Sequence, residues 1–125
     1  MTKILVIEDE EPIRANLLEI LEDNGYQVAG AENGLLGVMG ALSFHPDLIL
    51  CDVMMPELDG HGVLAALRQD PTTAAIPLIF LTAKADKTDI REAMSLGADD
   101  YLTKPFSYAE VLACLKTLTS AAQRH

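Results

Sequence analysis

Five side chains suited to phosphoryl chemistry stand at, or within two residues of, the end of a short apolar run. Residues 4–7 lead into Glu8 and Asp9, 48–51 into Asp52, 78–81 into Thr82, and Tyr101-Leu102 leads to Lys104. If the runs are parallel strands, their carboxyl ends share one sheet edge, where open α/β folds place their ligands. Three carboxylates held together are expensive: each like-charged pair costs about 4 kcal/mol at ~4 Å and an effective dielectric near 20. A cation relieves that cost. The donors are hard oxygens with no His or Cys at metal spacing, which favours Mg²⁺, or Mn²⁺, over zinc. An Asp beside such an ion is a credible nucleophile toward phosphorus. Lys104 and the Thr82 hydroxyl can then contact the oxygens of the moving phosphoryl group.

Each residue also has a plainer reading. Glu8-Asp9-Glu10-Glu11 suits a solvated helix start, where acids face the positive end of the dipole. Asp52 can cap a turn before Met54-Met55-Pro56, Lys104 can be a surface residue, and Thr82 a strand-end hydroxyl. The convergence of all of them favours the chemical reading.

The elements that must position these groups alternate along the chain. The run 4–7 reads as a strand covered on both faces. Pro12 sits at a helix start, and Ile13, Leu17, Leu18, Ile20 and Leu21 form an apolar face that stops at Asn24-Gly25. A weaker strand over 26–31 follows. Asn33 caps a helix over 34–44, closed by Pro46, and 48–51 is the third strand. Asp59-Gly60 precedes a helix carrying Val63, Leu64 and Leu67, and Pro77 opens the fourth strand at 78–81. A helix over 87–96 ends at Gly97, and 99–102 is the fifth strand. Ser107 and Glu110 have capping-box spacing before a last helix with Val111, Leu112, Leu115 and Leu118 on one face. Five strand–helix units with right-handed crossovers predict a parallel sheet in a doubly wound, flavodoxin-like α/β fold, one domain over 1–125; of the two strand orders natural for such an open sheet, 2-1-3-4-5 suits five strands. Asp9 and Asp52 then flank the switch point between strands 1 and 3.

Bulk properties agree. The chain has 125 residues, half of them hydrophobic, with no Trp, which suits one domain with an aliphatic core. A net charge of -10 leaves no basic footprint, so no direct nucleic-acid binding is expected. Cys51 and Cys114 are too few for a disulfide framework and read as core residues. No apolar run approaches the ~20 residues of a membrane span, and no signal peptide pattern opens the chain, which predicts a cytoplasmic protein. The second helix is odd, because Leu35, Leu36, Gly37 and Gly40 stand where polar residues and better helix formers are expected. Either it presents an exposed patch or it packs unusually deeply.

The chain resembles the receiver domain of two-component response regulators. The resemblance covers nearly the whole chain and is carried by Ile4-Leu5-Val6-Ile7-Glu8-Asp9-Glu10, Asp47-Leu48-Ile49-Leu50-Cys51-Asp52-Val53-Met54-Met55-Pro56 with Asp59-Gly60, Pro77-Leu78-Ile79-Phe80-Leu81-Thr82-Ala83, and Gly97-Ala98-Asp99-Asp100-Tyr101-Leu102-Thr103-Lys104-Pro105-Phe106. It implies that Asp52 is the phosphoacceptor, supplied by a histidine kinase phosphohistidine or a phosphotransfer protein. It implies Mg²⁺ ligation by Asp9, Glu8, Asp52 and the Met54 carbonyl, phosphoryl binding by Lys104, and a cis bond before Pro105. Glu8 replaces the Asp often found there. Thr82 and Tyr101 become switch residues that alter the face made by the fourth helix, fifth strand and fifth helix. Met54 and Lys84 flank the site and tune phosphate lifetime.

The resemblance further implies a phosphorelay role as a regulatory domain that catalyses only its own phosphorylation and dephosphorylation. The output would pass to an effector domain or a separate target, with a homodimer on the switching face as a further option, although Cys114 stands where many relatives carry Arg. The chain would be a stand-alone regulator or the N-terminal piece of a longer protein. The rival class is an Mg²⁺-dependent phosphatase or phosphotransferase with an Asp nucleophile, which needs a second acid for proton transfer.

Overall fold

The computed structural model of the chain describes residues 2–83, 91–92 and 94–123, with side chains through 118. Five strands, β1 (Lys3–Ile7), β2 (Gln27–Ala31), β3 (Leu48–Asp52), β4 (Leu78–Thr82) and β5 (Asp100–Thr103), alternate with helices α1 (Glu11–Asp23), α2 (Gly34–Phe44) and α3 (Gly60–Gln69) and a C-terminal helix (Tyr108–Gln123). The sheet is parallel throughout, in the expected order β2-β1-β3-β4-β5. Half of the expected helix over 87–96, and Lys84, lie outside the described residues; Arg91, Glu92, Met94 and Ser95 are helical.

β3 and β4 are buried at all five positions, because helices cover both faces of a parallel sheet. One apolar cluster joins Leu5, Ile7, Ile49, Cys51, Leu78 and Phe80 to Ala41 of α2 and Val63, Leu64 and Leu67 of α3. The other joins Ile4, Val6, Leu48, Leu50, Ile79 and Leu81 to Leu17 and Leu21 of α1 and to Val111 and Leu115 of the C-terminal helix. Alternate residues along each strand thus feed opposite clusters.

Local chemistry sets the element ends. Asn33 accepts from the Leu36 amide at 2.8 Å and Asp59 from the Gly62 amide at 2.9 Å, so both helices begin on an Asx cap. Ser107 and Glu110 form the reciprocal capping box, with both bonds between 3.1 and 3.2 Å. β5 begins at Asp100, one residue later than the sequence suggests, and Asp99 just before it meets Leu78 of β4 through both its amide, which donates to the Leu78 carbonyl at 2.9 Å, and its side chain. Its Oδ2 accepts from the Leu78 amide at 2.8 Å and meets Arg68 at 3.3 Å.

The oddity of α2 resolves into two faces. A Cβ at Gly37 would lie 2.5 Å from Ile7 Cδ1, so glycine lets the helix approach β1 closely. Leu35, Leu36, Met39 and Leu42 are 41–60% exposed on the remaining surface. Gly37→Ala is expected to destabilise the fold by about 1–3 kcal/mol, the usual cost of overpacking. Urea unfolding with an unchanged m-value checks this.

Candidate functional site

Parallel register brings the strand ends to one level. Ile7 pairs with Cys51, Asp52 with Leu81, and Thr82 with Thr103. Glu8, one residue past β1, is fully buried, and its N–H donates to the Ala31 carbonyl at 3.0 Å. Asp9 follows on the surface. Asp52 and Thr82, the last residues of β3 and β4, are 4% and 7% exposed. Lys104 lies just past β5, where its amide donates to the Thr82 carbonyl at 2.7 Å. The Lys104–Pro105 bond is cis.

Lys104 bridges the acids. Its Nζ is 2.6 Å from Glu8 Oε1 and 3.4 Å from Asp52 Oδ1. One carboxylate oxygen from each of Glu8, Asp9 and Asp52 lies within 4.8 Å of the other two. One ammonium therefore bridges two of the three acids, and the imbalance is visible in the proton affinities of Glu8 and Asp52. Burial, then the Asp52 carboxyl beside it, push Glu8 up to about 8 despite Lys104. Burial also raises Asp52, against the lowering effect of its bond with Glu8 and of Lys104. Burial alone would lower Lys104, but its contacts with Glu8 and Asp52 outweigh this and raise it.

The donor set fits a hard divalent cation. Among the described residues, Glu8 Oε2 is buried and has no hydrogen-bond partner, a rare and costly condition for a carboxylate oxygen. Lys104 occupies the other oxygen, and Glu8, Asp9 and Asp52 each offer one oxygen to a common point. That is the kind of partial cage Mg²⁺ uses, since it retains several waters. The longer side chain of Glu8 spans from Lys104 to this group.

The remaining sequence-predicted residues are placed as follows. Tyr101 pairs with Phe80, two residues below the level of Thr82, and packs half-buried against the α2–α3 cluster. Met54 lies two residues past Asp52, with its side chain 56% exposed. Gly60 lies under the same loop, where a Cβ would come 2.6 Å from the Asp52 carbonyl and explains the glycine after Asp59. Sequence reasoning passed over Arg14, whose Nη1 donates to the Glu8 carbonyl at 2.8 Å. Its signal was a lone cation three residues past four consecutive acids.

Comparison with known proteins matches this architecture. Residues 4–116 fit the family model of the response regulator receiver domain. The chain is 42% identical over 125 residues to the DNA-binding dual master transcriptional regulator RpaA of Synechocystis, covering 99% of the chain and 52% of that protein. It is 46% identical over 116 residues to the alkaline phosphatase synthesis transcriptional regulatory protein PhoP of Bacillus subtilis, covering 93% and 48%. It thus spans about half the length of these relatives. The crystal structure of the receiver domain of sensor histidine kinase PA1611 from Pseudomonas aeruginosa, described with magnesium coordinated in its active-site cleft, superposes with a TM-score of 0.82 at 33% identity, covering 93% and 95%.

Fold and site together define a regulatory α/β module of the flavodoxin-like class. The chain belongs to the response regulator receiver domain family, the phosphoacceptor signalling domains of two-component systems.

Proposed function

We propose that Asp52 is the phosphoacceptor and that residues 1–125 act as one receiver domain. The observation that carries this reading is the Lys104 bridge between Glu8 and Asp52 beside the unpartnered Glu8 Oε2. An Asp52 oxygen attacks phosphorus, the P–N bond of a phosphohistidine breaks, and the imidazole nitrogen keeps the electron pair and takes a proton from water. Lys104 turns from the carboxylates to an oxygen of the bound phosphoryl group, and the Thr82 hydroxyl donates to another. Glu8, Asp9 and Asp52, with the Met54 carbonyl, would hold Mg²⁺, which supplies positive charge against the acids and the phosphoryl oxygens.

The signal follows from the same contacts. Thr82 moving toward the phosphoryl group frees space for Tyr101 to turn inward, which changes the surface of β5, the C-terminal helix and the segment around 91–96. Shifting such a two-state element from 1:99 to 99:1 takes about 5.5 kcal/mol of differential interaction, within reach of a dianion contacting Lys104 and Thr82. Partners on this reading are a histidine kinase or phosphotransfer protein upstream and an effector domain or target protein downstream. The relatives' names as transcriptional regulators support that output, a cytoplasmic location is part of the same reading, and the net charge of -10 supports a domain that does not itself bind nucleic acid. No helix of the described residues is long and apolar enough to cross a membrane. On the switching face, Cys114 donates to Asp100 Oδ2 at 3.2 Å within the chain, so self-association there would rest on other residues such as Lys116.

Incubation with acetyl phosphate and Mg²⁺ is expected to add one phosphoryl group by intact-mass spectrometry, mapping to the peptide that holds Asp52. Chelation should prevent it. Sustained hydrolysis of varied phosphoesters with no adduct would instead identify a phosphatase.

A further inference from the structure

The loop that carries Glu8 and Asp9 has an unusual anchor. The N-cap of α1 is Glu10, and its side chain makes no capping bond. An uncapped turn at this place leaves the metal-facing acids on a poorly fixed backbone. What holds the turn is Arg14, on the first turns of α1. Its guanidinium donates to the Glu8 carbonyl at 2.8 Å, while its own amide donates to the Glu10 carbonyl at 3.0 Å. The Glu8 N–H is meanwhile tied to Ala31 of β2 at 3.0 Å. The Glu8 peptide groups are thus clamped from both sides, from β2 and from α1.

A second, independent feature serves the same clamp. Gly30, immediately before Ala31, lies beneath the Arg14 stem. A Cβ there would come 3.3 Å from Arg14 Cδ, 3.5 Å from Arg14 Cγ and 2.9 Å from Leu18 Cδ1. The missing side chain lets the stem lie across β2 and bring the guanidinium back to Glu8.

We infer that Arg14 is a positioning residue that, seated over Gly30, fixes the β1–α1 turn so that Glu8 and Asp9 are preset for a divalent cation. This deepens the reading of Glu8, Asp9 and Asp52 as the Mg²⁺ site and rests on it. Arg14 meets the Glu8 backbone carbonyl rather than a carboxylate of the site. Its effect is on how well the ligands are held, and outer partners of this kind commonly alter metal affinity by 10- to 100-fold. Its charge acts in the opposite sense, since a nearby cation repels Mg²⁺. The two contributions therefore predict opposite outcomes.

Calorimetric Mg²⁺ titration of the full chain tests the assignment. Arg14→Met keeps an apolar stem and removes the donor. It is expected to weaken Mg²⁺ binding about tenfold, while the metal-free unfolding midpoint in urea changes little. With acetyl phosphate, the half-saturating Mg²⁺ concentration should rise by the same factor, and the labelling rate at saturating Mg²⁺ should stay within about twofold of wild type. Gly30→Ala, which crowds the stem, should weaken binding in the same direction and add nothing further in an Arg14→Ala background. Unchanged or tighter Mg²⁺ binding in Arg14→Met overturns the inference. So does a loss confined to the saturated rate, or a Gly30→Ala effect that is fully additive. If wild type itself neither binds Mg²⁺ nor takes up a phosphoryl group, the underlying site reading fails instead, which keeps the two failures apart.

Discussion

Asp52→Asn is expected to abolish phosphoryl uptake from acetyl phosphate, with the adduct falling to background, while the metal-free protein becomes more stable. The first effect is chemical. A carboxylate oxygen is the only group at the end of β3 that can attack phosphorus, and an amide is not a nucleophile. The second effect follows from the geometry. Asp52 is 4% exposed, within 4.8 Å of oxygens on Glu8 and Asp9, and shares Lys104 with Glu8. The amide oxygen can still accept from Lys104, but the buried charge that Asp52 sets near the Asp9 carboxylate is gone. A like-charged pair at such a separation costs about 4 kcal/mol, part of which the lost attraction to Lys104 returns, leaving a gain of about 1–2 kcal/mol. Urea unfolding in chelator measures the gain, and intact-mass spectrometry measures the loss of labelling. Retained labelling in Asp52→Asn would move the phosphoacceptor elsewhere.

The second large effect is on pH. In chelator, wild-type stability should fall as pH rises from about 4.5 to about 8, and Glu8→Gln should remove most of that fall. Burial and the neighbouring Asp52 hold the Glu8 carboxyl up at about 8, against an ordinary 4.5. Between those values the folded chain keeps a proton that the unfolded chain has released, so stability declines with pH. The favourable contribution is complete below the ordinary value and is lost as pH climbs through the raised one. At 1.36 kcal/mol per pH unit, discounted because Glu8 and Asp52 share protons and titrate as one site, the loss is about 3 kcal/mol. Raised Asp52 adds to it in the same direction. Lys104 is also raised, from an ordinary 10.5, so its own contribution stays intact across this window. Mg²⁺ binds the deprotonated acids, so its stabilisation should grow over the same interval. Thermal melts at several pH values, with chelator and with Mg²⁺, check this. A pH slope identical in wild type and Glu8→Gln would refute the assignment.

Much of this could be read before any coordinates. Runs such as 48–51 and 78–81 are continuous rather than alternating, which is how strands covered on both faces look. Helical crossovers between them force a parallel sheet, and a parallel sheet places all strand ends on one edge. Asn33, Asp59, Ser107 and Glu110 mark helix starts because their side chains can satisfy amides that a helix leaves open. Residue types thus determined the element order and the parallel sheet, and, with the strand order that suits five such units, the company of Glu8, Asp9, Asp52, Thr82 and Lys104.

Tertiary structure alone decided how those groups share charge. Lys104 and Glu8 are 96 residues apart, and no local pattern says which oxygen the ammonium takes or that Glu8 Oε2 stays unpartnered. The same holds for Arg14 reaching back to a carbonyl, for Gly30 making room beneath it, and for the Asp99 carboxylate taking the Leu78 amide. In α2, sequence offered an exposed patch or deep packing. Packing gave both, because Gly37 rests on Ile7 while Leu35 and Leu36 face outward. Periodicity and capping are properties of neighbouring residues, so sequence carries them. Side-chain contacts between distant segments, and the desolvation that sets their proton affinities, come into being only when the sheet closes over them.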